Sequence, residues 1–87
     1  MIIGRVIGNV WATRKEETLN GLKLMVVRRE GEDKGNEFVA VDCVGAGTGE
    51  RVLVVQGSSA RKALENHKTP IDAAIIGIID EVQLTEG

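Results

Sequence analysis

Ile2-Ile3-Gly4-Arg5-Val6-Ile7-Gly8-Asn9-Val10-Trp11-Ala12-Thr13 alternates with a period of two residues. One alternate set reads Ile2, Gly4, Val6, Gly8, Val10, Ala12 and the other Ile3, Arg5, Ile7, Asn9, Trp11, Thr13. This is the pattern of a strand with one wholly apolar face. Gly4 and Gly8 fall on that predicted inner face, where a missing side chain permits the sharp bend or close backbone approach of a small barrel. A coiled first strand is expected.

Working outward from it, a polar stretch at residues 14–20 and Gly21 leads to a second predicted strand at 22–29. The charged run 28–37, with Gly31 and Gly35, reads as a solvated hairpin loop. Strand three is expected at 37–43, strand four at 51–56 and strand five at 73–82; short length and β-branching favour strand over helix for the last two. Ser58 or Ser59 is placed to cap a short helix through residues 60–65. That helix must end before Pro70, because Thr69 is pushed away from helical angles. The expected fold is all-β: one domain over residues 1–87, a small five-stranded OB-like barrel with one short helix between strands four and five.

Eighty-seven residues support a single core. The chain is 43% hydrophobic, yet Trp11 and Phe38 are its only aromatics, so the apolar content is nearly all branched aliphatic and alanine. Cys43 is the only cysteine, which excludes a disulfide framework and fits a reducing, intracellular setting. The first residues contain no basic segment, cleavage site or long apolar span, so neither export nor membrane insertion is expected. A net charge of −2 argues against a nucleic-acid partner, for which a basic face is the first requirement. Arg14, Lys15, Arg28 and Arg29 have acidic neighbours. An OB-like single-stranded nucleic-acid-binding module is the alternative that the barrel raises, but base stacking needs several aromatics on the sheet.

Val52, Leu53, Val54 and Val55 are apolar without a break, as is most of 73–82. Consecutive strand residues point to opposite faces, so one set must leave the barrel interior. So short a chain has no second layer of helices to cover it, and exposed apolar patches of that size mark interfaces. An obligate oligomer is expected; the competing arrangement has the short helix and the 14–20 loop cover those side chains within a monomer.

Chemistry-bearing patterns are sparse. Val44-Gly45-Ala46-Gly47-Thr48-Gly49-Glu50 is the one glycine-rich loop, but no Gly-Lys-Ser/Thr follows it and it leads into a strand, so it matches neither nucleotide-binding fingerprint. Its glycines read as turn positions. Gly57-Ser58-Ser59-Ala60-Arg61 lacks the Gly-x-Ser-x-Gly elbow of a nucleophilic serine. His67 reads as a solvated loop histidine. One Cys and one His give no metal-ligand spacing, and Asp42 and Asp80, at strand ends, read as turn or cap residues. No catalytic, metal or cofactor site is expected.

Several linked motifs carry a resemblance: Ala40-Val41-Asp42 with 44–50, then Val52-Leu53-Val54, then Gly57-Ser58-Ser59-Ala60-Arg61, then Pro70-Ile71-Asp72-Ala73 and Gly77-Ile78-Ile79-Asp80. Together, and in this order, they resemble the bacterial microcompartment vertex family, the EutN/CcmL group. The likeness also covers residues 4–13 and 22–27, and the chain departs from it in a short 30–36 loop, where relatives often carry longer insertions. The group includes pentamer-forming shell proteins of carboxysomes and of ethanolamine- or propanediol-degrading metabolosomes.

The resemblance implies a barrel protomer that assembles into a homopentameric disc with a narrow axial opening and seals the corners of a shell whose flat facets are hexameric shell proteins. It implies a structural role, with no substrate turned over, in the cytoplasm. A five-fold ring needs two different patches per subunit, since its interface is heterologous and its rotation closes. On this reading Gly45, Ala46, Gly47, Thr48, Gly49 and Glu50 form a tight loop at subunit contacts or near the axis. Ser58, Ser59 and Arg61 fix the helix start and hydrogen-bond across a protomer or hexamer boundary. Pro70 and Asp72 shape the entry to strand five.

Overall fold

A computed structural model describes residues 1–13, 15–31, 36–64 and 69–86. Arg14, the 32–35 part of the charged loop, the expected helix end at Glu65 and His67 lie outside the described residues. Five strands and one short helix follow in order: β1 Ile2–Val10, β2 Leu24–Arg29, β3 Glu37–Asp42, β4 Arg51–Gln56, α1 Ser58–Ala63 and β5 Ala73–Ile78. A single 3-10 turn, Glu17–Leu19, lies between β1 and β2. The strands close into a barrel in the order β1-β2-β3-β5-β4. All neighbours are antiparallel except β3 and β5, which meet in a short parallel seam, Val41 opposite Ala74 and Asp42 opposite Ile75. The Cys43 amide extends that seam by donating to the Ile75 carbonyl at 3.1 Å.

The all-β barrel with its helix between the fourth and fifth strands is as expected, whereas several boundaries are shorter. β1 stops at Val10, β2 begins at Leu24, β3 ends at Asp42 and β5 ends at Ile78. Trp11, expected on β1, stands 91% exposed beyond it. The inner-face assignment of Gly8 also needs correction. The β1–β2 register slips between Val6 and Gly8, so Val6 faces Val27 while Gly8 faces Val26. A bulge inserts one extra residue and reverses the alternation beyond it. Gly4 keeps the expected role: a Cβ there would lie 2.5 Å from Val27 Cγ1.

Inside the barrel, Val6, Met25, Val27, Ala40, Val52, Val54, Ala73 and Ile75 form one buried cluster, with Ile2 and Phe38 packed on it. Burying each large aliphatic side chain contributes roughly 1.5–3 kcal/mol. Val55 and Ala74 point outward and are nevertheless buried, because Ala60 of α1 lies over them with Ile71 and Ile76 at the rim. The helix thus covers one part of the outer surface of β4 and β5 within the protomer. Outside its reach, Ile3, Leu53 and Gly77 stand side by side in register and are only half-buried. Val39, Val44 and Ile78 are more exposed still.

Candidate functional site

Two surface features remain once the core is accounted for: the loop between β3 and β4, and the uncovered outer face. The loop is built from Asp42, whose side chain is 2% exposed and whose Oδ1 accepts from the Val44 and Gly45 amides, each at 3.0 Å. This is the turn role read for Asp42 in the sequence, and it satisfies two backbone donors where β3 ends. Lys23 Nζ lies 4.0 Å from Asp42 Oδ2 and donates to the Ala46 carbonyl at 3.2 Å. Ala46 itself is fully buried in the barrel cluster, so the loop dips into the barrel.

Farther along, the Gly47 amide donates to Glu50 Oε1 at 2.6 Å. The Gly49 amide donates to the Val6 carbonyl at 2.8 Å, and the Val6 amide donates to the Glu50 carbonyl at 3.0 Å. Arg5 Nη1 adds a bond to the Gly49 carbonyl at 2.6 Å. Gly45 and Gly49 have φ of 83° and 93°, in the left-handed region that favours glycine. Burial and, secondarily, the Asp42 charge push the Cys43 thiol above its ordinary range.

At the helix, the expected cap is corrected. Gly57, with φ 64°, occupies the N-cap and makes no side-chain bond; Ser58 and Ser59 lie inside the first turn, both exposed. A positive-φ entry suits glycine, and the chain direction is set instead by the Gly57 amide donating to the Asp72 carbonyl at 2.8 Å. Arg61 Nη1 donates to the Ile71 carbonyl at 3.2 Å, tying α1 to the segment that enters β5. The Ile71 amide donates to the Thr69 carbonyl at 2.8 Å, a tight turn centred on Pro70. The structure therefore gathers Ser58, Ser59, Arg61, Pro70 and Asp72 around α1, apart from the Gly45–Glu50 loop on β1.

Charge on the outer face went unseen in the sequence. Arg28, Arg5 and Arg51 stand next to one another across β2, β1 and β4 in register. Glu37 meets Arg28 at 3.1 Å and Glu30 meets Arg51 at 2.7 Å. The Arg51 hydrogen bond, with the Arg51 and Arg5 charges, holds the Glu30 carboxyl below its ordinary 4.5. Only the pairing register brings residues 5, 28 and 51 together, and no spacing in the sequence reports it. Among the described residues no group of His, Cys, Asp or Glu is gathered to hold a metal ion, and no helix is long and apolar enough to cross a membrane.

The protomer is thus a closed barrel with a tied-down loop, a helix covering part of its outer face and a half-buried apolar row beside arginines. The family model described as ethanolamine utilisation protein EutN/carboxysome matches residues 1–80, and the chain belongs to this EutN/CcmL family. It is 49% identical to the bacterial microcompartment shell vertex protein GrpN of Rhodospirillum rubrum, over 95% of this chain and 97% of that protein. It is 49% identical to the carboxysome shell vertex protein CcmL of Thermosynechococcus vestitus, over 94% of this chain and 86% of that one. Among solved structures, the GrpN pentameric microcompartment shell protein superposes with a TM-score of 0.83 at 47% identity, covering 97% of this chain and 99% of that one. An ethanolamine utilization protein, EutN, superposes with a TM-score of 0.88 at 41% identity, covering 97% and 91%.

Proposed function

We propose that this chain is a structural shell protein whose homopentamers cap the five-fold vertices of a bacterial microcompartment. The observation that carries this is the half-buried outward row Ile3, Leu53 and Gly77, with Val39, Val44 and Ile78 more exposed, on a barrel whose short helix covers the neighbouring Val55 and Ala74. Apolar surface of this kind is stabilised by association. Its likeness to pentameric shell proteins supplies the stoichiometry. The pentamer meets hexameric shell proteins at its rim, and the assembled shell lies in the cytoplasm.

On this reading the site residues take the following roles. The loop Gly45, Ala46, Gly47, Thr48, Gly49 and Glu50 acts at subunit contacts or near the axis, held rigid by its bonds to β1. Ser58, Ser59 and Arg61 act at a protomer or hexamer boundary, and Pro70 with Asp72 sets the entry to β5. Native mass measurement at micromolar concentration tests the central claim: five subunits are expected, and a stable monomer overturns it.

A further inference from the structure

β5 ends at Ile78, and the Ile79 amide donates to the Arg51 carbonyl at 2.9 Å, so the chain leaves the barrel beside the arginine row. Residues 81–86 form neither helix nor strand and are all exposed, with Leu84 84% accessible. The side chains of Glu81 and Gln83 bond one another at 3.2 Å, which places the odd-numbered residues on one side of an extended backbone. The even side reads Asp80, Val82, Leu84, Glu86: two apolar side chains between two carboxylates. Two aliphatic side chains held in water at the end of a small barrel have not reached their final environment.

A matching surface exists on the barrel. Outward along β1 and β4 lie Ile3 opposite Leu53, followed by Arg5 opposite Arg51. Gly77 sits beyond Leu53, where its missing side chain leaves the Leu53 side chain uncovered on that side. The groove next to it is lined by Met1, Ile2, Ile3, Arg29, Glu30 and Leu53. Across the row Arg28–Arg5–Arg51, three guanidinium groups meet two carboxylates, Glu37 and Glu30. Among the described residues Arg5 bonds to the Gly49 carbonyl alone, and the Nε–H groups of Arg28 and Arg51 are shielded from water without an acceptor. Arg29, in the adjoining groove, has no ion pair among the described residues.

We infer that the tail, residues 80–86, of one subunit lies across the Ile3–Leu53 face and arginine row of the next. The inference rests on the pentamer reading and names the contact that joins its subunits. The chain's own tail runs away from its own barrel, as the exposure of Val82 and Leu84 records. A neighbouring copy is therefore the occupant. Charge and apolarity match on the two sides: Val82 and Leu84 cover Ile3 and Leu53, while Asp80 and Glu86 face the unneutralised guanidinium groups. Tail and face are different patches, so each copy gives one and receives one, as a closing ring requires.

The test compares the full chain with two variants, one ending after Asp80 and one carrying Leu84→Asp, by sedimentation over a range of concentrations. The barrel ends before the truncation point, and circular dichroism checks that both variants fold. Both are expected to fall apart at concentrations at least tenfold above those at which the full chain does. In a Cys43→Ser background, Ile3→Cys with Leu84→Cys, oxidised by dissolved oxygen with a copper catalyst, is expected to give a disulfide-linked ladder of subunits on a non-reducing gel. A full chain of five subunits whose variants dissociate no more readily, and whose cysteines do not link subunits, overturns the tail contact and leaves the pentamer standing. Variants that keep the ring but lose co-sedimentation with a hexameric shell protein assign the tail to that partner and also overturn it. A monomeric full chain overturns both readings.

Discussion

Gly49 donates its amide to the carbonyl of Val6 at 2.8 Å, and this contact binds the glycine-rich loop to the first strand. The loop is thereby part of the barrel wall. Its φ of 93° is a conformation that a residue with a Cβ adopts only under strain. Gly49→Ala is expected to lower stability by about 1–2 kcal/mol in urea denaturation. Gly47→Ala meets only Glu50 Oε1, at 3.4 Å, and its φ is not in the left-handed region, so its loss is smaller. Equal losses would show that space, not backbone angle, limits the loop.

Gly4 illustrates the opposite constraint. Its added Cβ meets Val27 Cγ1 at 2.5 Å and the Arg28 carbonyl oxygen at 3.0 Å, both on the paired strand. Gly4→Ala is expected to cost about 1–3 kcal/mol through overpacking. Adding Val27→Ala, which removes the first contact, makes the pair less destabilised than the sum of the two single changes. Strict additivity in chemical denaturation counts against a direct clash.

How much of this was legible depends on which neighbours decide each feature. Strand four, a helix between it and strand five, and the Asp42 turn are legible, since a short β-branched run, the polar stretch before Pro70 and an aspartate at a strand end report them within a few residues. Gly8 was misplaced because a bulge leaves no mark in an alternating sequence; only the partner strand shows that Ile7 is the extra residue. The serine cap failed for a related reason. Gly57 enters the helix at positive φ and bonds to Asp72, fifteen residues on, so its amide is satisfied by a distant carbonyl. The outward apolar set on β4 and β5 was legible, but its division was not: Val55 lies under Ala60, while Leu53 stays at the surface beyond the helix.

Glu30 makes stability depend on acid. Its carboxyl is held below 4.5 by the Arg51 hydrogen bond first and by the Arg51 and Arg5 charges after it. A carboxyl depressed in the folded state contributes stability that is complete above its unfolded value and is lost as pH falls through the folded value. The thermal midpoint is therefore expected to drop more between pH 5 and the acid limit for the parent than for Glu30→Gln. The difference shrinks in high salt, because the pair is at the surface. Identical pH profiles for parent and variant would remove Glu30 from the acid response.

Arg61 joins two parts of the surface that the proposed assembly uses. Its Nη1 donates to the Ile71 carbonyl at 3.2 Å, and that residue packs beside the Val55–Ala60–Ala74 cluster. Arg61→Glu removes the donor and puts a negative charge near the last turn of α1, where helix carbonyls already concentrate negative potential. The change is expected to destabilise the protomer by about 1–3 kcal/mol, since a charged hydrogen bond is lost. If Arg61 also bonds across a boundary, the pentamer dissociates at concentrations where the variant barrel is still folded. Native mass and thermal melting measured on the same samples separate the two effects. A variant that melts earlier yet keeps five subunits at the parent's concentrations confines Arg61 to its own protomer. Arg61→Lys, which keeps the charge but has a single, differently placed donor group, is expected to fall between the two.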